Sequence, residues 1–246
     1  MEHRRALDHL LEAATCPICL ERLSPSLVCC VNGHALCLDC RQWQPHCPTC
    51  RGRFSTDRTT TLRHIVQALP ERCPYPNCNV ILWSLSNHKR TCSYRSTRCV
   101  ACEWVGPVRD LWGHVNEMRH PKLSADVNRH ISNFYKCIEN NFRWINVFAL
   151  DGHIFWRILE NDPDLSTLAM EFICVATKEV NNVYKASILF KTDKLENSIK
   201  LQLSFDNNHN ENRIYLCHDM LEHFVEQNTK LLYRLTVETD DNKSSN

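Results

Sequence analysis

Two periodicities divide the chain. Residues 2–14 carry Ala6, Leu7, Leu10, Leu11 and Ala14 at near-helical spacing, which predicts a short helix that packs on the module after it or meets a partner. Beyond residue 125 the pattern becomes strand-like. Trp144 to Leu150 and His153 to Leu159 flank Asp151-Gly152, the strongest short hairpin signal in the chain. Further runs cover Leu168 to Thr177, Val183 to Lys191, Ser198 to Phe205, Arg213 to Cys217 and Leu231 to Glu238, with turns expected at Asn181-Asn182 and Asp206 to Asn212. Asp219 to Glu226 reads as one short helix, with His218 or Asp219 near its N-cap. Seven short strands joined by polar turns predict an antiparallel β-sandwich. The tail after Thr239 is expected to be disordered.

Between these patterned ends lies a segment whose character comes from cysteine. Thirteen of the 16 cysteines fall between Cys16 and Cys102; only Cys137, Cys174 and Cys217 lie beyond. The N-terminus has charge and no apolar core of a secretory signal, and no run approaches the ~18 apolar residues of a membrane span. Cytoplasmic placement is therefore expected, with the nucleus as a further compartment, and thiols there serve metal rather than disulfides. The metal-rich half should end around His120-Pro121-Lys122, where a proline follows the last candidate ligand.

From Cys16 the ligand order is Cys16-x2-Cys19, Cys30-x3-His34, Cys37-x2-Cys40, Cys47-x2-Cys50: four close pairs, enough for two tetrahedral zinc sites. Cys29 competes with Cys30 for the third position, and Cys30 keeps the C-x3-H spacing. This order is that of a RING finger. The resemblance implies a cross-brace, with Cys16, Cys19, Cys37 and Cys40 on one ion and Cys30, His34, Cys47 and Cys50 on the other. It also implies partner-contact roles. Ile18 and Pro48 would meet a ubiquitin-conjugating enzyme, with Trp43 as an added apolar contact, and Arg51 would be the linchpin that holds donor ubiquitin for attack. Zinc must at least fold the segment, since roughly 40 residues bury too little surface alone.

Two more sets follow: Cys73-x4-Cys78-x9-His88-x3-Cys92 and Cys99-x2-Cys102-x11-His114-x5-His120. The second resembles a DNA-binding finger, but the segment before His114, EWVGPVRDLWG, offers acids, a proline and two tryptophans where a base reader needs basic or amide side chains. About four zinc ions per chain are expected.

On CPICLERLSPSLVCCVNGHALCLDCRQWQPHCPTCRG, the two fingers in this order and a β-rich end, the sequence resembles the seven in absentia (SINA/SIAH) family of RING-type E3 ubiquitin ligases. The resemblance implies a multidomain α+β chain: an N-terminal helical segment (1–15), a RING finger (16–52), tandem zinc fingers (70–121), a TRAF-like substrate-binding β-sandwich (125–239) and a tail (240–246). It implies recruitment of a ubiquitin-conjugating enzyme and ubiquitin through the RING, and of substrates or adaptors through the sandwich, leading to proteasomal degradation. A homodimer is implied as well, and strand addition at a sheet edge as the recognition mode. The C-terminal half is short for this family, and no family peptide-contact residue maps onto it.

Two other function classes compete with a ligase that forms no covalent ubiquitin intermediate. One is a catalytically idle adaptor that dimerises with or competes against an active ligase. The other is a nucleic-acid binder. Charge bears on the latter. Up to Lys122 there are 16 basic and 10 acidic residues, and from Ser124 onward 13 and 18. Twelve ligand thiolates and four divalent ions bring the N-terminal half close to neutral, which argues against nucleic acid as a partner. Cys137, Cys174 and Cys217 read as small buried residues, and His153, His218 and His223 as packing or surface groups rather than catalysts.

Overall fold

The computed structural model describes residues 2–55, 60–83, 86–206, 211–226 and 229–240. It divides into two compact units, 1–72 with 80–85, and 73–79 with 86–246.

The first unit opens with α1 (Glu2–Ala13), followed by the short pair β1 (Leu27–Cys29) and β2 (Ala35–Cys37), then α2 (Leu38–Arg41), α3 (Thr60–Ala68), β3 (Glu71–Arg72) and β4 (Ile81–Leu82). Cys29 pairs with Ala35, and the turn between the strands contains Gly33 at φ 85°, a backbone that costs glycine nothing. A small core joins Ala14, Leu23, Leu27, Leu36 and Val66 with the thiols of Cys16 and Cys29. Arg22 donates to the Val66 and Leu69 carbonyls at 2.5 and 2.6 Å and satisfies the otherwise unpaired end of α3. The sequence pattern had not shown α3.

In the second unit α4 (Ser86–Thr91), the hairpin β5 (Ser96–Arg98) and β6 (Val105–Pro107), and α5 (Val108–Glu117) precede the sandwich. The sandwich contains β7 (Asp126–Ile131), α6 (Phe134–Ile138), β8 (Phe142–Leu150), β9 (His153–Asp162), β10 (Thr167–Val175), β11 (Val183–Lys191), β12 (Glu196–Leu203), β13 (Arg213–Cys217), α7 (His218–Glu222), β14 (Val225–Glu226) and β15 (Lys230–Asp240). One sheet runs β13-β10-β9-β8. The other runs β12-β11-β15, with β14 and β7 also on β15, and every pairing is antiparallel. The hairpin between β8 and β9 turns at Asp151 and Gly152, both at positive φ, with Leu150 opposite His153.

Side chains alternate as a half-buried sheet requires. On β11, Tyr184, Ala186, Ile188 and Phe190 are buried and meet Phe148, Phe155, Leu159, Met170 and Phe172 of the facing sheet. β9 breaks the alternation, because His153 through Leu159 are all buried. Its inner face (Phe155, Leu159) belongs to the sandwich core. Its outer face (Ile154, Trp156) packs with Val108, Leu111 and Val115 of α5 in a second core.

Three sequence expectations change. The helix expected over Asp219 to Glu226 stops at Glu222 with Cys217 at its N-cap, and Val225-Glu226 instead pair with Leu231 and Lys230. Cys217 is exposed and Cys137, in α6, is half-buried, where both were expected to be buried. The polar run DVNRHI, not expected as a strand, is β7. The residues of the Asp206 to Asn212 turn from 207 to 210, and the tail from 241 onward, lie outside the described residues.

Candidate metal centres

Four groups of Cys and His converge, each with its ligand atoms within 4.8 Å of one another: Cys16, Cys19, Cys37 and Cys40; Cys30, His34, Cys47 and Cys50; Cys73, Cys78, His88 and Cys92; and Cys99, Cys102, His114 and His120. The first two are interleaved along the chain. Cys30 lies in its group, whereas Cys29 points into the small core beside Leu27.

Local backbone explains why these residues meet. Leu20 N–H donates to the Cys16 carbonyl at 3.0 Å, and Arg51 N–H donates to the Cys47 carbonyl at 2.8 Å. Each closes a tight knuckle on a residue at φ near 60°, Leu20 and Arg51, so that both thiols of the pair face one point. Cys30 and His34 face each other across the Gly33 turn, where Cys30 N–H reaches the His34 carbonyl at 2.9 Å. In α5, Val108, Leu111 and Val115 recur at helical spacing, so His114 shares the buried face and is delivered to its site by packing. Trp104 stacks on His114 with ring centroids 4.6 Å apart, and Gly106 leaves room for that indole, which a Cβ would strike.

The donor spacing fits zinc. Tetrahedral geometry with Zn–S of about 2.3 Å and Zn–N of about 2.0–2.1 Å requires donor separations of roughly 3.3–3.8 Å. The observed values include Cys30 Sγ to Cys50 Sγ 3.7 Å, His34 Nδ1 to Cys50 Sγ 3.2 Å, Cys73 Sγ to Cys92 Sγ 3.7 Å, Cys78 Sγ to His88 Nε2 3.4 Å and His114 Nε2 to His120 Nε2 3.3 Å. The soft N/S donor set also suits zinc. These are four zinc sites.

Electrostatics within the first group show why a cation is needed. Burial opposes ionisation of Cys16, yet amide donors at Cys37, Cys19 and Ile18 outweigh it and bring the thiol down to about 6. Cys40 is pushed up to about 12, chiefly by the adjoining Cys37 thiol and by burial. Packed thiols resist shared ionisation unless a positive ion lies among them. Asn32 Nδ2 donates to Cys50 Sγ at 3.3 Å, an outer contact that no spacing rule signalled.

The residues assigned to partner contact all reach solvent. Ile18 is 42% and Trp43 82% exposed, and Pro48 and Arg51 are exposed as well. Leu20 and Leu38 add exposed apolar surface to the same module, a contribution that spacing did not suggest. The remaining thiols and imidazoles do not gather into a reactive group among the described residues. Burial pushes the Cys174 thiol up to about 12; His153 is packed between Tyr184 and Phe205, and His218 Nε2 pairs with Asn161 Oδ1 at 2.8 Å.

No protein-family model matches the chain. Several curated proteins do. An E3 ubiquitin-protein ligase sina from Schistosoma mansoni is 24% identical over 188 residues, covering 70% of this chain and 50% of that protein. An E3 ubiquitin-protein ligase siah-1 from Caenorhabditis briggsae is 30% identical over 205 residues, 73% of this chain and 45% of that one. The human E3 ubiquitin-protein ligase SIAH2 is 26% identical over 158 residues, 59% and 48% of the two chains. The chain thus spans about half the length of the curated relatives it matches. Those matches, on a chain with four zinc sites and a β-sandwich, make it a homologue of the seven in absentia (SINA/SIAH) family.

Proposed function

We propose that the chain is a RING-type E3 ubiquitin ligase. The observation that carries this reading is the interleaving of the first two zinc groups, the ligand sharing that a RING cross-brace would require. Around it Ile18, Trp43, Pro48 and Arg51 stay in solvent. Zinc supplies cross-links that hold loops too short to fold by burial, and with four protein donors per site it acts as scaffold.

The chemistry then falls to positioning. Ile18 and Pro48, each on a ligand knuckle, present apolar surface to a ubiquitin-conjugating enzyme, and Trp43 extends it. The main chain of Arg51 is fixed by its bond to Cys47, so its guanidinium projects from a rigid point and holds donor ubiquitin against the conjugating enzyme. Ordering the thioester for attack lowers the barrier without a covalent step on this chain. The TRAF-like sandwich takes substrates or adaptors along a sheet edge and pairs with a second copy. The site of action is cytoplasmic, and ubiquitination leads to proteasomal degradation.

An autoubiquitination assay with a panel of conjugating enzymes tests this. Ile18→Ala and Arg51→Ala should each lower the rate about tenfold or more, with zinc content unchanged. Equal rates in all three proteins would remove the assigned roles, and no activity with any conjugating enzyme would make the chain an idle adaptor.

A further inference from the structure

In the second unit, the two fingers and the sandwich surround a cleft of about 690 Å³. Its floor is apolar, with Ile173, Val175 and Phe205 from the sandwich. Its rim is basic: Lys89 and Arg90 come from α4, and Arg95 and Arg98 from the segment entering the second finger. Asp206 is the one carboxylate among the described residues that line it, and it is ion-paired with Arg90. Arg95 donates to the main-chain carbonyls of Arg90 and Ala176, both at 2.7 Å. Those contacts fix the guanidinium at the joint between finger and sheet. A second hollow of about 350 Å³ shares Arg90, Phe205 and Asp206 with the first, so the Arg90–Asp206 pair stands between the two.

We propose that this cleft is a docking site for an acidic peptide segment of a partner protein. Ligand carboxylates take the basic rim, an apolar side chain takes the floor, and Asp206 serves as an internal competitor for Arg90. The charge complementarity is direct: the guanidiniums of Arg90, Arg95 and Arg98 line the cleft with one carboxylate among the described residues, and guanidinium–carboxylate bonds are the strong, oriented kind. The apolar floor gives a peptide side chain a place to bury, which a string of charges alone would not use. Because α4 belongs to the first finger and the floor belongs to the sandwich, the site exists only in the zinc-loaded protein. This goes beyond the ligase reading and does not depend on it.

The test uses the zinc-loaded full chain and fluorescence anisotropy. The probe is a labelled peptide with glutamates on both sides of two leucines, compared with its glutamine counterpart. The glutamate peptide should bind at least ~tenfold more tightly, and its binding should weaken as salt rises from ~50 to ~300 mM. Lys89→Ala with Arg98→Ala should cost ~tenfold or more, whereas Asp206→Asn should tighten binding several-fold. That gain keeps the test decisive even if the double variant loses zinc, because misfolding cannot produce it. Equal binding of the two peptides, an Asp206→Asn protein no tighter than wild type, or stronger binding of an oligothymidylate would overturn the proposal. Ubiquitin transfer measured on the same protein separates its failure from that of the ligase reading.

Discussion

Leu111→Ala offers the sharpest test of how finger and sandwich depend on each other. Leu111 is wholly buried on α5, one turn before the ligand His114, and belongs to the core made with Ile154, Trp156 and Val175. The substitution removes three carbons from water-free surroundings, about 2.4 kcal/mol at ~0.8 per methylene, and the cavity left behind raises the loss to ~3–4 kcal/mol. That core forms only when the finger is folded on the sheet, and zinc binding at Cys99, Cys102, His114 and His120 is linked to the same folded state. A docking loss of ~3 kcal/mol should therefore appear as about two decades of zinc affinity at that site. A chelator titration with a metallochromic indicator reads it: one ion in four should leave at ~100-fold lower chelator activity while the other three release as in wild type. Release identical to wild type, or an equal shift of all four ions, would refute the coupling. Leu159→Ala, on the opposite face of β9, should instead lower the melting point of the sandwich.

Two other outcomes follow from buried polar groups. Arg157 is 2% exposed, donates to Tyr233 Oη at 2.6 Å and to Asn146 Oδ1 at 3.1 Å, and its Nε has no partner. Arg157→Met should cost ~1–3 kcal/mol in urea denaturation because it strands the Tyr233 hydroxyl; adding Tyr233→Phe should recover most of it, and no recovery would discount that bond. His153 is 1% exposed and its Nδ1 accepts from Thr177 N–H. Burial first, then the Lys178 charge, hold its imidazole below the ordinary range, with Asp151 opposing. Its neutral form therefore stabilises the fold above about pH 6.5 and that contribution fades as pH falls. Thermal melts at pH 7.5 and 6.0 should show a smaller acid loss for His153→Gln than for wild type, and an equal loss would reject the assignment.

Metal chemistry and hairpin chemistry were legible because both are local. Ligand spacing isolates four close pairs and then two sets of four donors before any tertiary contact is considered, with the RING resemblance implying how the pairs share two ions, and Asp151-Gly152 dictates a turn by backbone conformation alone. What stayed hidden depends on distant neighbours. β7 places Arg129 between Val127 and Ile131 on its inward face, opposite Tyr233 of β15, so its pattern reads as polar. Val225 and Glu226 look helical with the residues before them, yet pairing with Leu231 and Lys230 makes them a strand. The unbroken burial of β9 has the same origin, since only the docked finger explains why its outer face is apolar. The choice between Cys29 and Cys30 turned on which thiol the Gly33 turn aims at the ion, and the pattern of cysteines alone left that open.

The two-faced burial of β9 has a consequence for synthesis. The second finger ends at His120, 42 residues before β9 ends at Asp162, which is several seconds of synthesis at ~5–20 residues per second. During that time α5 has no sheet to cover, and a unit of about two dozen residues cannot hold its shape by burial. Metal fills the gap. Once zinc closes the finger, its apolar face waits preformed, and β9 arrives at a finished surface on one side before the partner sheet exists on the other. Zinc bound at that stage would give the emerging strand an ordered apolar surface to pack on.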